Sequence, residues 1–193
     1  DVELGNNTSQ RGILLYGTNA VGKSSLIRSI GICVVMAQAG LFVPCSSFIF
    51  KPYKSLFTRI LGNDDLFKGL STFAVEMSEL RSILNNANEN SLVLGDELCS
   101  GTETTSAISI FTAGIIQLEA KLSSFIFATH FHEITDDERI KKLKKVVFKH
   151  MEVIYDASDD CLIYNRKLKN GSGTSMYGLE VCKSLHLPAD FLE

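Results

Sequence analysis

Apolar residues in this chain fall into two alternating patterns. Short unbroken runs occupy residues 12–16 (GILLY), 91–95 (SLVLG) and 123–129 (SSFIFAT). Runs of that length without polar interruption predict strands covered on both faces. Between them lie stretches with helical spacing, over 24–38, 73–88 and 104–122. In the second of these, Phe73, Met77, Leu80 and Leu84 fall on one face. Residues 55–61 have β-type composition, and 63–71 (NDDLFKGLS) form a polar, turn-rich loop. Strands separated by helices predict an α/β fold with parallel pairing. After His130 the period returns to two. Residues 145–154 and 161–167 flank the polar turn 156–160, which predicts a late β-hairpin. The expected architecture is a mixed, mostly parallel sheet flanked by helices. Residues 177–184 read as helical, and Pro188 is placed to open a further helix.

The first strand-to-helix junction carries chemistry. Gly17 to Ser24 read GTNAVGKS, which fits the phosphate-binding pattern GxxxxGK[ST]. Glycines let the backbone curl so that successive N–H groups face phosphate oxygens. Lys23 can reach the β- and γ-phosphates, and the Ser24 hydroxyl can ligate Mg²⁺. The helix that follows presents its N-terminus to the anion.

The later strands supply the remaining groups. The run 91–95 ends in Asp96-Glu97, where phosphoryl transfer needs two acidic roles. Asp96 is assigned to the metal and Glu97 to the attacking water. The run 123–129 ends at His130, which can hydrogen-bond the γ-phosphate or that water. Ligands in open α/β sheets sit at the carboxyl ends of strands, so parallel pairing would put all three on one edge. Ser71 or Thr72 starts the helix near 73 as an N-cap. The free N–H groups there also suit an anion, within reach of a partner's phosphate rather than the chain's own.

Composition narrows the picture. Of 193 residues 45% are hydrophobic and 21% charged, which is ordinary for a globular domain. The net charge of −3 gives no general attraction to nucleic acid. The basic run Lys141, Lys142, Lys144, Lys145 and Lys149 follows Asp136, Asp137 and Glu138. It reads as a solvated surface segment, with a phosphate-backbone contact as the alternative. Five cysteines without a CxxC predict free thiols in a reducing compartment. Cys33, Cys161 and Cys182 lie in apolar segments and are expected to be buried. The apolar stretch 30–43 is too short and too interrupted to span a membrane. The chain begins at Asp1 without Met, and is expected to be one domain over 1–193 from a longer protein.

With these residues together, the chain resembles the ATPase domain of the MutS family of DNA mismatch-repair proteins, over about residues 11–192. The resemblance rests on ordered motifs: GTNAVGKSS, MAQAGLFVP, FTRILGNDDLFKGLSTFAVEM, SLVLGDELCSGTE, FATHFHEI and MYGLEV. It implies a P-loop NTPase fold of the ABC type that hydrolyses ATP with Mg²⁺. Nucleotide binding then falls to Gly17, Thr18, Asn19, Ala20, Val21, Gly22, Lys23, Ser24 and Ser25. Ser24 and Asp96 would hold the metal, and Glu97 and His130 would act in catalysis. Ser71 matches the serine that reaches the γ-phosphate bound by the other subunit, and Arg166 stands where the family stacks a ring on adenine. The implied partners are a second MutS-like subunit, DNA through domains absent from this chain, and downstream repair factors. The loop Cys99 to Glu103 would lie at the dimer interface. Two departures stand out: Cys99-Ser100-Gly101-Thr102 replaces the usual Gly-Arg-Gly-Thr, and the phosphate loop has TNAV where PNMG-like sequences are common. GDELCSGTE and MYGLEVCK resemble a divergent branch found in large DNA viruses and coral mitochondria. A MutS relative acting in recombination, or a nucleotide-gated clamp with little hydrolysis, remains open. A transporter ATPase lacks support, since no LSGGQ-like stretch precedes Asp96.

Overall fold

The computed structural model describes residues 1–5, 10–18, 21–60, 72–99, 101–156, 158, 161–174, 181–183 and 188. Six strands form one sheet in the order β2-β3-β4-β1-β5-β6. They are β1 (Gly12–Tyr16), β2 (Ser55–Arg59), β3 (Ser91–Asp96), β4 (Ser124–Ala128), β5 (Val146–Asp156) and β6 (Cys161–Asn170). Every pairing is parallel except β5 with β6. The helices are α1 (Lys23–Gln38), α2 (Thr72–Asn86), α3 (Thr104–Ala120) and the short α4 (Glu138–Lys141).

Alternation along the buried strands sorts side chains into two cores. Ile13 and Leu15 of β1 join Leu92, Leu94, Ile126 and Ala128 under α1, against Ile27 and Val34. Leu14 and Tyr16 point the other way, with Val93, Phe125 and Phe127, into the layer of α2 and α3. Phe111, Ile115 and Leu118 of α3 are fully buried there. The bare Gly95 of β3 leaves room for the ring of its β4 neighbour Phe127: a Cβ there would sit 2.2 Å from that ring.

The expected helices and strands appear, with bounds shifted by a residue or two where both ends are described, except that β6 runs three residues past the expected end at Lys167, to Asn170. The loop expected over 63–71 and most of the tail fall outside the described residues, although 181–183 are helical. Two turns after His130 carry no period in the sequence: a 3-10 turn, His132–Asp136, and α4. The Asp137 carboxylate caps α4 by accepting the Arg139 N–H at 2.8 Å. Lys141 pairs with Glu138 at 3.1 Å, so the basic run begins beside its own acids on the surface. Among the described residues no helix is long and apolar enough to cross a membrane.

One expectation about the thiols is corrected. Cys33, Cys161 and Cys182 are only half-buried, whereas Cys99 is completely buried. Cys99 lies in a polar turn of the sequence, and its burial comes from packing under α2. All five thiols are free.

Candidate active site

The register brings three strand ends level. Leu15 pairs with Ala128, and Ala128 pairs with Asp96, so β1, β4 and β3 finish on one row. The Thr129 N–H donates to the Leu15 carbonyl at 3.0 Å, and the Glu97 N–H donates to the Ala128 carbonyl at 3.1 Å. The loop after β1, the acidic pair and His130 therefore share the carboxyl edge, where open α/β sheets bind ligands.

The loop after β1 is shaped for close approach. Gly17 has φ +148 and Gly22 φ +107, the region where a side chain is strained. A Cβ on Gly17 would also lie 2.8 Å from Val21 Cγ1. Val21 is fully buried beneath the loop. Gly22 caps α1 with no side-chain cap hydrogen bond among the described residues, which leaves N–H groups at the positive end of that helix for another acceptor. Ser24 behind it is half-buried and Ser25 exposed.

Charge concentrates at this edge. Lys23 is 5% exposed and folds back over the loop, its Nζ donating to the Gly17 carbonyl at 2.8 Å and the Thr18 carbonyl at 3.1 Å. Burial lowers its pKa, and the nearby Glu97 and then Asp96 oppose that shift. Two carboxylates thus act on one ammonium. Asp96 is 4% exposed, and its Oδ1 finds no hydrogen-bond partner among the described residues. Thr18 Oγ1 is likewise buried and unpartnered there. Buried polar atoms are ordinarily satisfied, so two orphans at one edge fit an absent ligand. A hard divalent cation takes oxygen donors such as the Ser24 hydroxyl and the Asp96 carboxylate. No group of three or more His, Cys, Asp or Glu placed to hold a metal occurs among the described residues. A cation that draws its other ligands from phosphate and water needs none.

The remaining expected residues are placed less tightly. His130 is exposed on the same edge, its ring centroid 4.4 Å from that of Phe131. Tyr16 ties the end of β1 to the turn beyond it, its hydroxyl donating to the Phe131 carbonyl at 3.3 Å. Arg166 is exposed, with φ +54, where β6 bulges against β5. Met151 of β5 lies 3.4 Å from where a Gly17 Cβ would be, so the hairpin flanks the loop. No hydrogen bond or ring contact among the described residues ties Arg166 itself to it. Asn19, Ala20 and Ser71 lie outside the described residues.

One residue of the site neighbourhood was missed. Glu76 on α2 is 3% exposed and accepts the Cys99 N–H at 2.6 Å. The signal was available: Glu76, Leu80, Ile83 and Ala87 run at helical spacing, so a carboxylate sits within the apolar stripe.

A family profile described as MutS domain V matches residues 13–193. A putative DNA mismatch repair protein mutS homolog of Acanthamoeba polyphaga mimivirus is 44% identical over 177 residues, 90% of this chain and 16% of that protein. A mitochondrial DNA mismatch repair protein mutS homolog of Sarcophyton glaucum is 46% identical over 89% of this chain and 17% of its own length. The DNA mismatch repair protein MutS of Alkaliphilus metalliredigens is 40% identical over 93% of this chain and 20% of its own length. The chain thus spans a fifth or less of these relatives.

Proposed function

This chain belongs to the MutS family, and from that premise we propose that it is a P-loop, ABC-type ATPase domain that hydrolyses ATP with Mg²⁺. The observation that carries the reading is the strand-end cluster. Lys23, Asp96 and Glu97 converge electrostatically beside a glycine-shaped loop, with an orphaned carboxylate oxygen at its floor. Its charge balance, two carboxylates to one ammonium, suits a bound divalent cation.

In this reading the loop from Gly17 to Ser25 wraps the phosphates, and Lys23 exchanges its two backbone carbonyls for phosphate oxygens. Ser24 and Asp96 would hold Mg²⁺, which neutralises phosphate charge. Glu97 orients and deprotonates the attacking water, and His130 contacts the γ-phosphate or that water. Arg166 stacks on the base from the flanking hairpin. Glu97→Gln tests the assignment. Nucleotide binding is expected to persist while turnover falls by roughly 10²–10⁴, the scale of general-base loss. An unchanged rate removes Glu97 from the mechanism.

We further propose that Ser71 acts in trans on the nucleotide of a second MutS-like subunit, so that two chains complete two sites. Ser71 immediately precedes α2, whose N-terminus would face that phosphate. Mixing a Lys23→Ala chain with a Ser71→Ala chain then yields hybrid dimers carrying one intact site. If confirmed hybrids are no more active than either parent, the shared site is wrong. Nucleotide state would time when two subunits hold together on DNA, which other parts of the protein contact. The relatives named for mismatch repair support that role over one in recombination.

A further inference from the structure

The segment after Asp96 is held in an unfavourable backbone. Glu97 has φ +50 and Cys99 φ +67, two non-glycine residues in the left-handed region within three positions. Such conformations persist where the surroundings over-determine them, and they concentrate at functional sites. Three contacts hold this one. The Glu97 N–H is bound to the Ala128 carbonyl of β4 at 3.1 Å. Leu98 between the two strained residues is 2% exposed, anchored in the α2–α3 core. The Cys99 N–H is bound to Glu76 Oε1 of α2 at 2.6 Å. Gly101 then lies against the first described turn of α2, where a Cβ would be 3.6 Å from Phe73.

The Glu76 bond differs from the other two. It comes from a charged side chain buried to 3% exposure, and its acceptor belongs to a helix that makes no backbone pairing with the sheet. A charge-assisted bond of this kind is strong and directional. We propose that Glu76 is a positioning residue: by gripping the Cys99 amide it fixes the left-handed turn that aims Glu97 at the phosphate edge. The setting of α2 thereby becomes a condition for hydrolysis. Because Ser71 directly precedes α2 in the sequence, the same helix would link the serine proposed to act in trans to the hydrolytic carboxylate. This rests on the hydrolytic reading of Glu97.

The test compares Glu76→Ala and Glu76→Gln in the native protein at its full length, with nucleotide affinity and turnover measured separately. Glu76→Ala is expected to lower kcat at least tenfold, with the Kd for a fluorescent ATP analogue within threefold of wild type. Glu76→Gln keeps an acceptor oxygen and is expected to restore kcat to within threefold. Turnover of Glu76→Ala within twofold of wild type overturns the proposal. So does an equal loss in both variants, or a parallel loss of binding and turnover. Should Glu76→Ala not fold, an amide-to-ester replacement at Cys99 deletes only the donor N–H; it is expected to repeat the kcat loss, and wild-type turnover there overturns the proposal. Failure of the hydrolytic reading itself shows elsewhere, as wild-type turnover insensitive to Glu97→Gln.

Discussion

The strand-end edge and the β5–β6 hairpin treat charge in opposite ways. At the edge, Lys23 and Asp96 are about 5% exposed, and an Asp96 oxygen has no partner among the described residues. On the hairpin, Glu152 is half-buried; it accepts a hydrogen bond from the exposed Asn165 at 3.0 Å and pairs with the exposed Lys169 at 3.4 Å. Those partners hold its pKa below the ordinary carboxylate range. Both regions contain left-handed non-glycine residues: Glu97 and Cys99 at the edge, Arg166 at the hairpin bulge. At the edge the strain is locked by buried contacts, whereas on the hairpin it accompanies two extra residues of β6, since 165–167 face Glu152 alone between the Met151–Leu168 and Val153–Tyr164 pairs. A fold leaves a buried carboxylate oxygen unpaired only at a cost in stability. The difference therefore sets an edge whose buried carboxylate the fold leaves unpaired, as the proposed ligand site requires, against a hairpin whose carboxylate is already paired.

The sharpest way to break this contrast is Asp96→Asn. A ligand-reserved carboxylate is not holding the fold together. The ligand-free variant should stay within about 1 kcal/mol of wild type, or exceed it, while Mg²⁺-dependent turnover collapses. Chemical denaturation and an ATPase assay check both halves. A loss above about 3 kcal/mol would mark Asp96 as a structural partner of Lys23 instead.

Glu152→Gln probes the other side. Removing the charge of this surface pair should leave the denaturation midpoint and nucleotide binding essentially unchanged. A clear change in either would erase the distinction between the two regions.

The smallest effect concerns acid. Hydrogen bonds from the Arg139 side chain, then its backbone, lower the Asp137 pKa from 3.8 to about 2. A depressed carboxylate contributes stability that is fully present above its unfolded value. That contribution fades as pH falls from near 4 through about 2. Asp137→Asn should therefore flatten the thermal-melting profile in that window and leave it unchanged near neutrality. An unaltered acid limb would show that the cap adds nothing.

Much of this was legible in the chain itself. The GILLY, SLVLG and SSFIFAT runs marked the inner strands, because a parallel strand covered on both faces must be apolar at every position. GTNAVGKS marked the loop because its backbone shape demands glycine at set places. The 3-10 turn and α4 escaped because they are too short for a period to register. Glu76 escaped because a single carboxylate in an apolar stripe looks like noise until its partner, 23 residues away, is placed beside it. Cys99 misled for the same reason: it lies in a mostly polar stretch of sequence, yet the fold packs it into the core beneath α2.

The sequence alone therefore determined the local elements and the chemical groups, which depend on spacing over a few residues. Only the tertiary structure decided that β1, β3 and β4 end on one row, that Asp96 keeps an oxygen unpaired, and that α2 grips the turn behind Glu97. These depend on register and packing between segments far apart in the chain. Local spacing cannot encode them, because each is set by which distant surface a segment buries against.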